Sequence, residues 1–319
     1  MKADTMEVLR RALENTFANW PAMLLRLAGS VVIFAVAALA ILAMIVPTAI
    51  WIGLSLSRPD SWRNVDPTRL GAAFLDHLLF VAGALIFLTV VFTLLVAIYS
   101  FLESAMARLM YDGELAAAAA EASGNRAPSR FRVFSVERFF AAGKAFWWRV
   151  FLVYNVIWGV ACAIVLIPLL VILALLYSMK GSPAALGLGC LLLGSTLAFM
   201  ILLAVVANAW AKKAIMIVVA TGVRGVEATR LAWREFRGDA ARHVLVVVVL
   251  IALSLALSAV ISSLSMGAVF SQHVLRQSSL DLLFAPLRIA TSVLNGIVGL
   301  VITTLYIAAF AALQRDRGV

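Results

Sequence analysis

Long apolar runs alternate along this chain with short basic segments rich in aromatic residues. Six runs stand out, at residues 27–56, 78–102, 150–179, 184–211, 244–266 and 287–313. About 20 helical residues cross the roughly 30 Å of hydrocarbon in a bilayer, so each run predicts a spanning helix. A helix satisfies its own backbone groups, which hydrocarbon demands. The predicted fold class is all-α, a polytopic membrane protein with six transmembrane helices.

Three runs are led in by segments of common design. These are residues 8–21 (VLRRALENTFANWP), 136–149 (VERFFAAGKAFWWR) and 226–239 (VEATRLAWREFRGD). As a helix, the first aligns Leu9, Leu13, Phe17 and Trp20. The second aligns Phe139, Phe146 and Val150. The third aligns Leu231, Arg234 and Arg237, with Trp233 and Phe236 beside them. Apolar stripes flanked by cations suit a helix lying in the headgroup region. The even-numbered runs also end alike, in Arg108 then Gly113, in Lys212 and Lys213 then Gly222, and in Arg315 and Arg317 then Gly318.

The pattern predicts three pseudo-repeats, each a cytoplasmic amphipathic interfacial helix followed by an outgoing and a returning span. The whole chain, 1–319, is one integral membrane domain. Its helix-pair units are 1–113, 136–222 and 223–319, with a cytoplasmic loop at 114–135. The alanine run at 115–120 predicts a short helix within that loop, and 124–129 a turn. Three unrelated juxtamembrane helices are the plainer alternative to a repeat. Pro47 and Pro168 each fall toward the external end of an odd-numbered span and predict a bend there.

Composition agrees. The chain is 64% hydrophobic and 13% charged, with mean hydropathy +1.04. Soluble domains are about 45–50% apolar and about 25% charged. No small-residue cleavage site follows the first run, which predicts a retained span rather than a signal peptide.

The net charge of +10 is distributed with a bias. With the N-terminus inside, only Arg58, Arg63, Arg69, Lys180, Arg276 and Arg288 of the 26 basic residues fall in external loops. The rest lie on the inner side, as the positive-inside rule requires. Both termini are predicted cytoplasmic. The charge reads as topology plus attraction to anionic lipid. No basic segment carries a nucleic-acid-binding pattern, so no nucleic acid is expected as a partner. The interface candidates are Trp20, Trp147, Trp148 and Trp233 with Arg132, Arg234 and Arg237.

A charge in the bilayer marks a transport or relay site. No span carries an ionisable residue near its midpoint, which argues against an ion-coupled carrier. Asp76 and His77 sit at an external mouth, Glu103 at the cytoplasmic end of the second span, and His243 at the start of the fifth. All four are expected to reach the interface. Uncharged polarity remains. Ser254, Ser258, Ser262 and Ser265 share one face of the fifth span. Asn155 and Asn208 would face each other if the third and fourth spans are neighbours. Asn295 follows Thr291 and Ser292 in the sixth. With Gly187, Gly189, Gly194, Gly296 and Gly299, these read as helix packing, where interhelical hydrogen bonds average about 0.6 kcal/mol, or as the lining of a pathway. Cys162 and Cys190 lie within spans and read as small packing residues.

No phosphate loop, serine elbow or Cys-x-x-Cys pair occurs. His77 and His273, with Asp76 and Asp281, could meet around a metal at the outer face, but nothing in their spacing requires it. No catalytic residue, cofactor or metal is predicted.

Residues 225–250 (GVEATRLAWREFRGDAARHVLVVVVL) and the ending 305–318 (LYIAAFAALQRDRG), where Tyr306 and Arg315 match, resemble elements of bacterial six-span inner-membrane proteins. These are the YciC-like family and proteins carrying the glycerophosphodiester phosphodiesterase membrane domain. The resemblance implies a six-helix domain of the bacterial cytoplasmic (inner) membrane with no assigned activity. The chain has no room for the phosphodiesterase's soluble catalytic barrel.

The functional expectation is a non-enzymatic membrane subunit or scaffold. It would bind lipid, a partner protein or another copy of itself through its basic cytoplasmic face. The alternative is a permease or channel for a small or lipidic substrate, lined by the serine face. A lipid-modifying enzyme would need acids or histidines converging in the membrane, and the sequence offers none.

Overall fold

The computed structural model describes residues 4–55, 78–125, 127–178, 183–275 and 280–315. They form eight α-helices and one 3-10 turn, with no strand among the described residues. Six segments are long and apolar enough to cross a membrane: Trp20–Met44, Ala82–Ala122, Val136–Ile172, Gly194–Thr221, Ala240–Ser263 and Ile289–Arg315. The chain is a multi-pass helical membrane protein, as its hydrophobic pattern predicts.

Helix α1 (Thr5–Ala18) opens on Asp4, whose carboxylate accepts from the Thr5 backbone N–H at 2.7 Å. Asn19 ends it, and α2 (Trp20–Ser55) starts at once. Pro21 falls in the first turn of α2, where no backbone donor is needed. Helix α3 (Leu78–Ala122) has 45 residues, about 68 Å at 1.5 Å per residue. That is twice the hydrocarbon thickness, so α3 runs well past the bilayer. The alanine run expected as a separate short helix is the last part of α3. Gly113, read from the sequence as the end of a unit, lies inside that helix.

A 3-10 turn at Pro128–Phe131 leads to α4 (Val136–Ser178). The second amphipathic segment is therefore continuous with its span. The first and third segments end at Asn19–Trp20–Pro21 and at Gly238–Asp239. Residues 136–150 contain only the lone Gly143, too weak a break to stop a helix. Helix α5 (Pro183–Thr221) closes on Gly222, whose φ of +72° suits a helix C-terminus. Then come α6 (Gly225–Gly238), α7 (Ala240–Leu275) and α8 (Leu280–Arg315). Helices α2 and α4 continue through Pro47 and Pro168 without interruption.

The returning helices α3, α5 and α8 touch one another pairwise and form the centre. Helix α2 packs on α3, α4 on both α3 and α5, and α7 on α8. Helix α1 lies against α8, so the first and last helices meet.

Packing is concentrated at one end. Buried residues cluster at 102–111, 207–219 and 302–314, with Val8, Ala12, Phe131, Phe139, Ala228, Ala232 and Val246 around them. The other halves of the spans show large apolar side chains outward, such as Phe34 (74% exposed) and Leu191 (69%). Lipid tails solvate Leu as well as another Leu does, so apolar surface alone does not pull spans together. Tight packing follows the polar contacts instead, and these lie at the basic end.

Candidate functional site

Three spans bring charge together inside the bundle. Arg26 of α2, Glu103 of α3 and Lys212 of α5 are 3%, 0% and 3% exposed. Arg26 Nη2 donates to Glu103 Oε2 at 2.7 Å, and Lys212 Nζ donates to Glu103 Oε1. Lys212 also lies 3.4 Å from the Tyr154 hydroxyl of α4, whose ring packs on Tyr99 at 5.4 Å. One carboxylate thus serves two cations. Arg26 Nη1 is buried with no hydrogen-bond partner among the described residues. The expectation that Glu103 reaches the interface is corrected: it is enclosed, because its partners arrive from two neighbouring spans. A signal did exist in the sequence. Arg26 directly precedes the first apolar run, Glu103 directly follows the second, and Lys212 directly follows the fourth. The three share one depth and have opposite signs.

His243 is corrected in the same way. It is 1% exposed, between the rings of Phe236 and Phe310. Its Nδ1 lies 2.8 Å from the Asp239 carbonyl oxygen. A carbonyl only accepts, so Nδ1 carries the proton. Lys213, counted from the sequence among the cations of the inner side, is fully buried and pairs with Glu235 of α6 at 2.8 Å.

Below this layer α1 is stitched to the end of α3. Arg11 Nη2 meets Glu114 at 3.0 Å, and Arg130 Nη2 meets Glu14 at 2.8 Å. Both guanidinium groups flank the buried Phe131 ring, at 5.2 and 4.7 Å from its centre. Burial alone would lower the pKa of Arg11; Glu114 and Glu121 outweigh it, and the group is held charged. The Glu7 carboxyl is kept below its ordinary value chiefly by the hydrogen bond from Arg10. Asn19 is fully buried. It donates to the Phe131 carbonyl at 2.8 Å and accepts from the Val133 and Phe134 backbone N–H groups at 3.0 Å.

The burial of Val8, Arg11, Ala12, Asn15 and Thr16 turns the opposite face of α1 outward. Leu13, Phe17 and Trp20 are 45%, 57% and 54% exposed. With Pro21 and with Pro128, Ser129, Arg132 and Phe134 of the 127–134 segment, they line a groove of about 520 Å³.

The other interface candidates are also on the surface. Trp148 and Trp233 are exposed, as are Arg132, Arg234 and Arg237, while Trp147 is half-buried. Trp233 stacks on Phe236, and Trp210 Nε1 donates to the Thr229 carbonyl of α6 at 2.8 Å.

The uncharged polar candidates do not converge. Asn155 is exposed and donates to the Phe151 carbonyl of its own helix at 2.8 Å. It does not face Asn208, which is half-buried. Ser254 and Ser258 are half-buried and Ser262 is exposed. Asn295 is half-buried, with Oδ1 lacking a hydrogen-bond partner among the described residues. Gly187, Gly194, Gly296 and Gly299 face open space rather than a helix crossing. Cys162 is exposed in a second groove, between α4 and α5, rather than packed inside. Asp76 and His77 lie outside the described residues, as do the side chains of Cys190, Ser265, His273 and Asp281 and the surroundings of Gly189.

Close helix approach is made by other glycines. A Cβ on Gly225 would lie 2.4 Å from the Arg149 carbonyl oxygen, and one on Gly113 2.6 Å from Asn15 Oδ1. Gly29 meets Leu102 and Gly143 meets Phe101 as closely.

Comparison with family models, curated proteins and solved structures gives no match for this chain.

Proposed function

We propose that this protein is a non-enzymatic integral membrane subunit that holds lipid, a partner protein or a second copy at its basic end. The carrying observation is the contrast between the two ends. The basic end is ion-paired and tightly packed, yet it is rimmed by exposed Trp20, Trp148, Trp233, Arg132, Arg234 and Arg237. A firm base with an aromatic and cationic rim suits a docking face, since exposed aromatics and arginines anchor interfaces. The outer halves of the spans, by contrast, are solvated by lipid.

This reading includes a bacterial cytoplasmic membrane, with both termini inside and that rim facing the cytoplasm. It also includes three repeated units, each led by an amphipathic segment. The central trio α3, α5 and α8, each touching its own outgoing helix, supports the repeat. Kinship with the YciC-like six-span proteins belongs to the same proposal.

Capture of the intact protein from native membranes in mild detergent tests it. A co-purifying protein, a tightly held lipid or a stable self-assembly is expected. Recovery of a bare monomer would sink it. A permease remains the second reading, favoured by the Arg26–Glu103–Lys212 cluster, because intramembrane charge marks transport sites. Solute flux in proteoliposomes would shift the balance toward it.

A further inference from the structure

We propose that the groove between α1 and the 127–134 segment is a discrete site for an anionic phospholipid. The acyl chain would lie along Leu13, Phe17, Trp20 and Phe134, with its phosphate against Arg132. The inference deepens the docking-face reading and rests on it.

The floor of the groove is apolar. Leu13 and Phe17 lie one turn apart on the outward face of α1, Trp20 follows them at the start of α2, and Phe134 and Pro128 close the other wall. The chemistry of α1 says what lies outside. In a helix surrounded by water the polar face turns outward. Here Arg11 and Asn15 turn inward to the ionic hub beside the buried Val8, Ala12 and Thr16, while Leu13 and Phe17 turn out, which fits an outer medium of hydrocarbon and headgroups. Depth agrees, because Trp20 and Pro21 are the first residues of α2. The groove therefore straddles the level at which a span begins, where a lipid places its glycerol and phosphate. A soluble peptide would not reach it without entering that layer.

Charge selects the headgroup. Glu14 is the groove's one carboxylate among the described lining residues, and it is already engaged by Arg130 at 2.8 Å and Arg10 at 3.7 Å. Arg132 is exposed, and its guanidinium makes no ion pair or hydrogen bond among the described residues. A guanidinium matches a phosphate with two parallel donors. A groove of about 520 Å³ falls in the range of roughly 300–1,000 Å³ usual for bound small molecules.

The test uses the full chain in nanodiscs of phosphatidylcholine, titrated with phosphatidylglycerol brominated on its acyl chain. Brominated phosphatidylcholine is the neutral control. Trp20→Phe isolates the Trp20 signal from those of the other tryptophans. Brominated phosphatidylglycerol is expected to quench Trp20 at about a fivefold lower mole fraction than the neutral lipid, the gain of one surface cation. Arg132→Gln should abolish that preference and Arg132→Lys should retain part of it. Arg234→Gln, on α6 and away from the groove, should leave it intact. Equal quenching by the two lipids overturns the site, as does a preference that survives Arg132→Gln. Loss of preference in Arg234→Gln to the same degree also overturns it, since the face would then act as a diffuse charge. The purified protein and lipid suffice, so this result stands apart from whether any partner is captured from membranes.

Discussion

Glu103 is the residue on which most depends. It lies at the junction of α2, α3 and α5, fully buried, and neutralises Arg26 on one oxygen and Lys212 on the other. Removing one member of a buried pair leaves the other charge uncompensated, at about 3–5 kcal/mol. Glu103→Gln strands two cations, whereas Lys212→Met leaves the Arg26–Glu103 pair whole. Thermal unfolding in detergent should therefore rank Glu103→Gln as clearly more damaging than Lys212→Met. Equal losses would refute the account of one acid serving two bases. The sequence marked each of these residues as a boundary charge. Their burial was not legible, because a residue at the edge of a span is solvated or enclosed depending on which helices stand beside it.

At the scale of elements, the segments that lead into the spans do not all meet the protein in the same way: α6 buries Ala228, Ala232 and Phe236, whereas α1 buries a mixed face. Leu13, Phe17 and Trp20 are exposed together, and α1 is fastened to the protein by a mixed face, through Val8 and Ala12 in the core and through the hydrogen bonds of Arg11, Asn15 and the neighbouring Asn19. Periodicity shows that a helix has two faces and is silent on which one the fold covers. Glycine gives the same lesson. Gly187 and Gly194 of α5 and Gly296 and Gly299 of α8 looked like packing sites and meet nothing, whereas Gly225 sits where α6 crosses α4. Gly225→Ala should push α6 off the Arg149 carbonyl and cost about 1–3 kcal/mol, as overpacking does. Gly238→Ala, on the same helix with nothing within 4 Å of the new methyl group, should be neutral within about 0.5 kcal/mol. Comparable destabilisation by both would mean that the crossing is not as close as described.

The whole molecule is a set of long helices clamped at one end. Since α1 packs on α8 and on the 3-10 turn, the chain's first helix and its last share that end with Arg132 and Arg234. Single cysteines at these two positions should react with a membrane-impermeant thiol reagent from the same side of the membrane. By the positive-inside rule that side is the cytoplasm, so labelling is expected only after the cells are opened. Reaction in intact cells would reverse the orientation, and reaction from opposite sides would break the topology.

Hydrophobic period and run length alone determined the all-helical class and the six apolar helices, because these depend on how each segment meets its solvent. The enclosure of Arg26, Glu103, Lys212, Lys213 and His243 was decided by tertiary structure, as was the choice of glycines at crossings and of the α1 face left exposed. Those outcomes depend on which helices become neighbours. In hydrocarbon that choice rests on a few polar and close-approach contacts between residues far apart in the chain, and no local pattern records it.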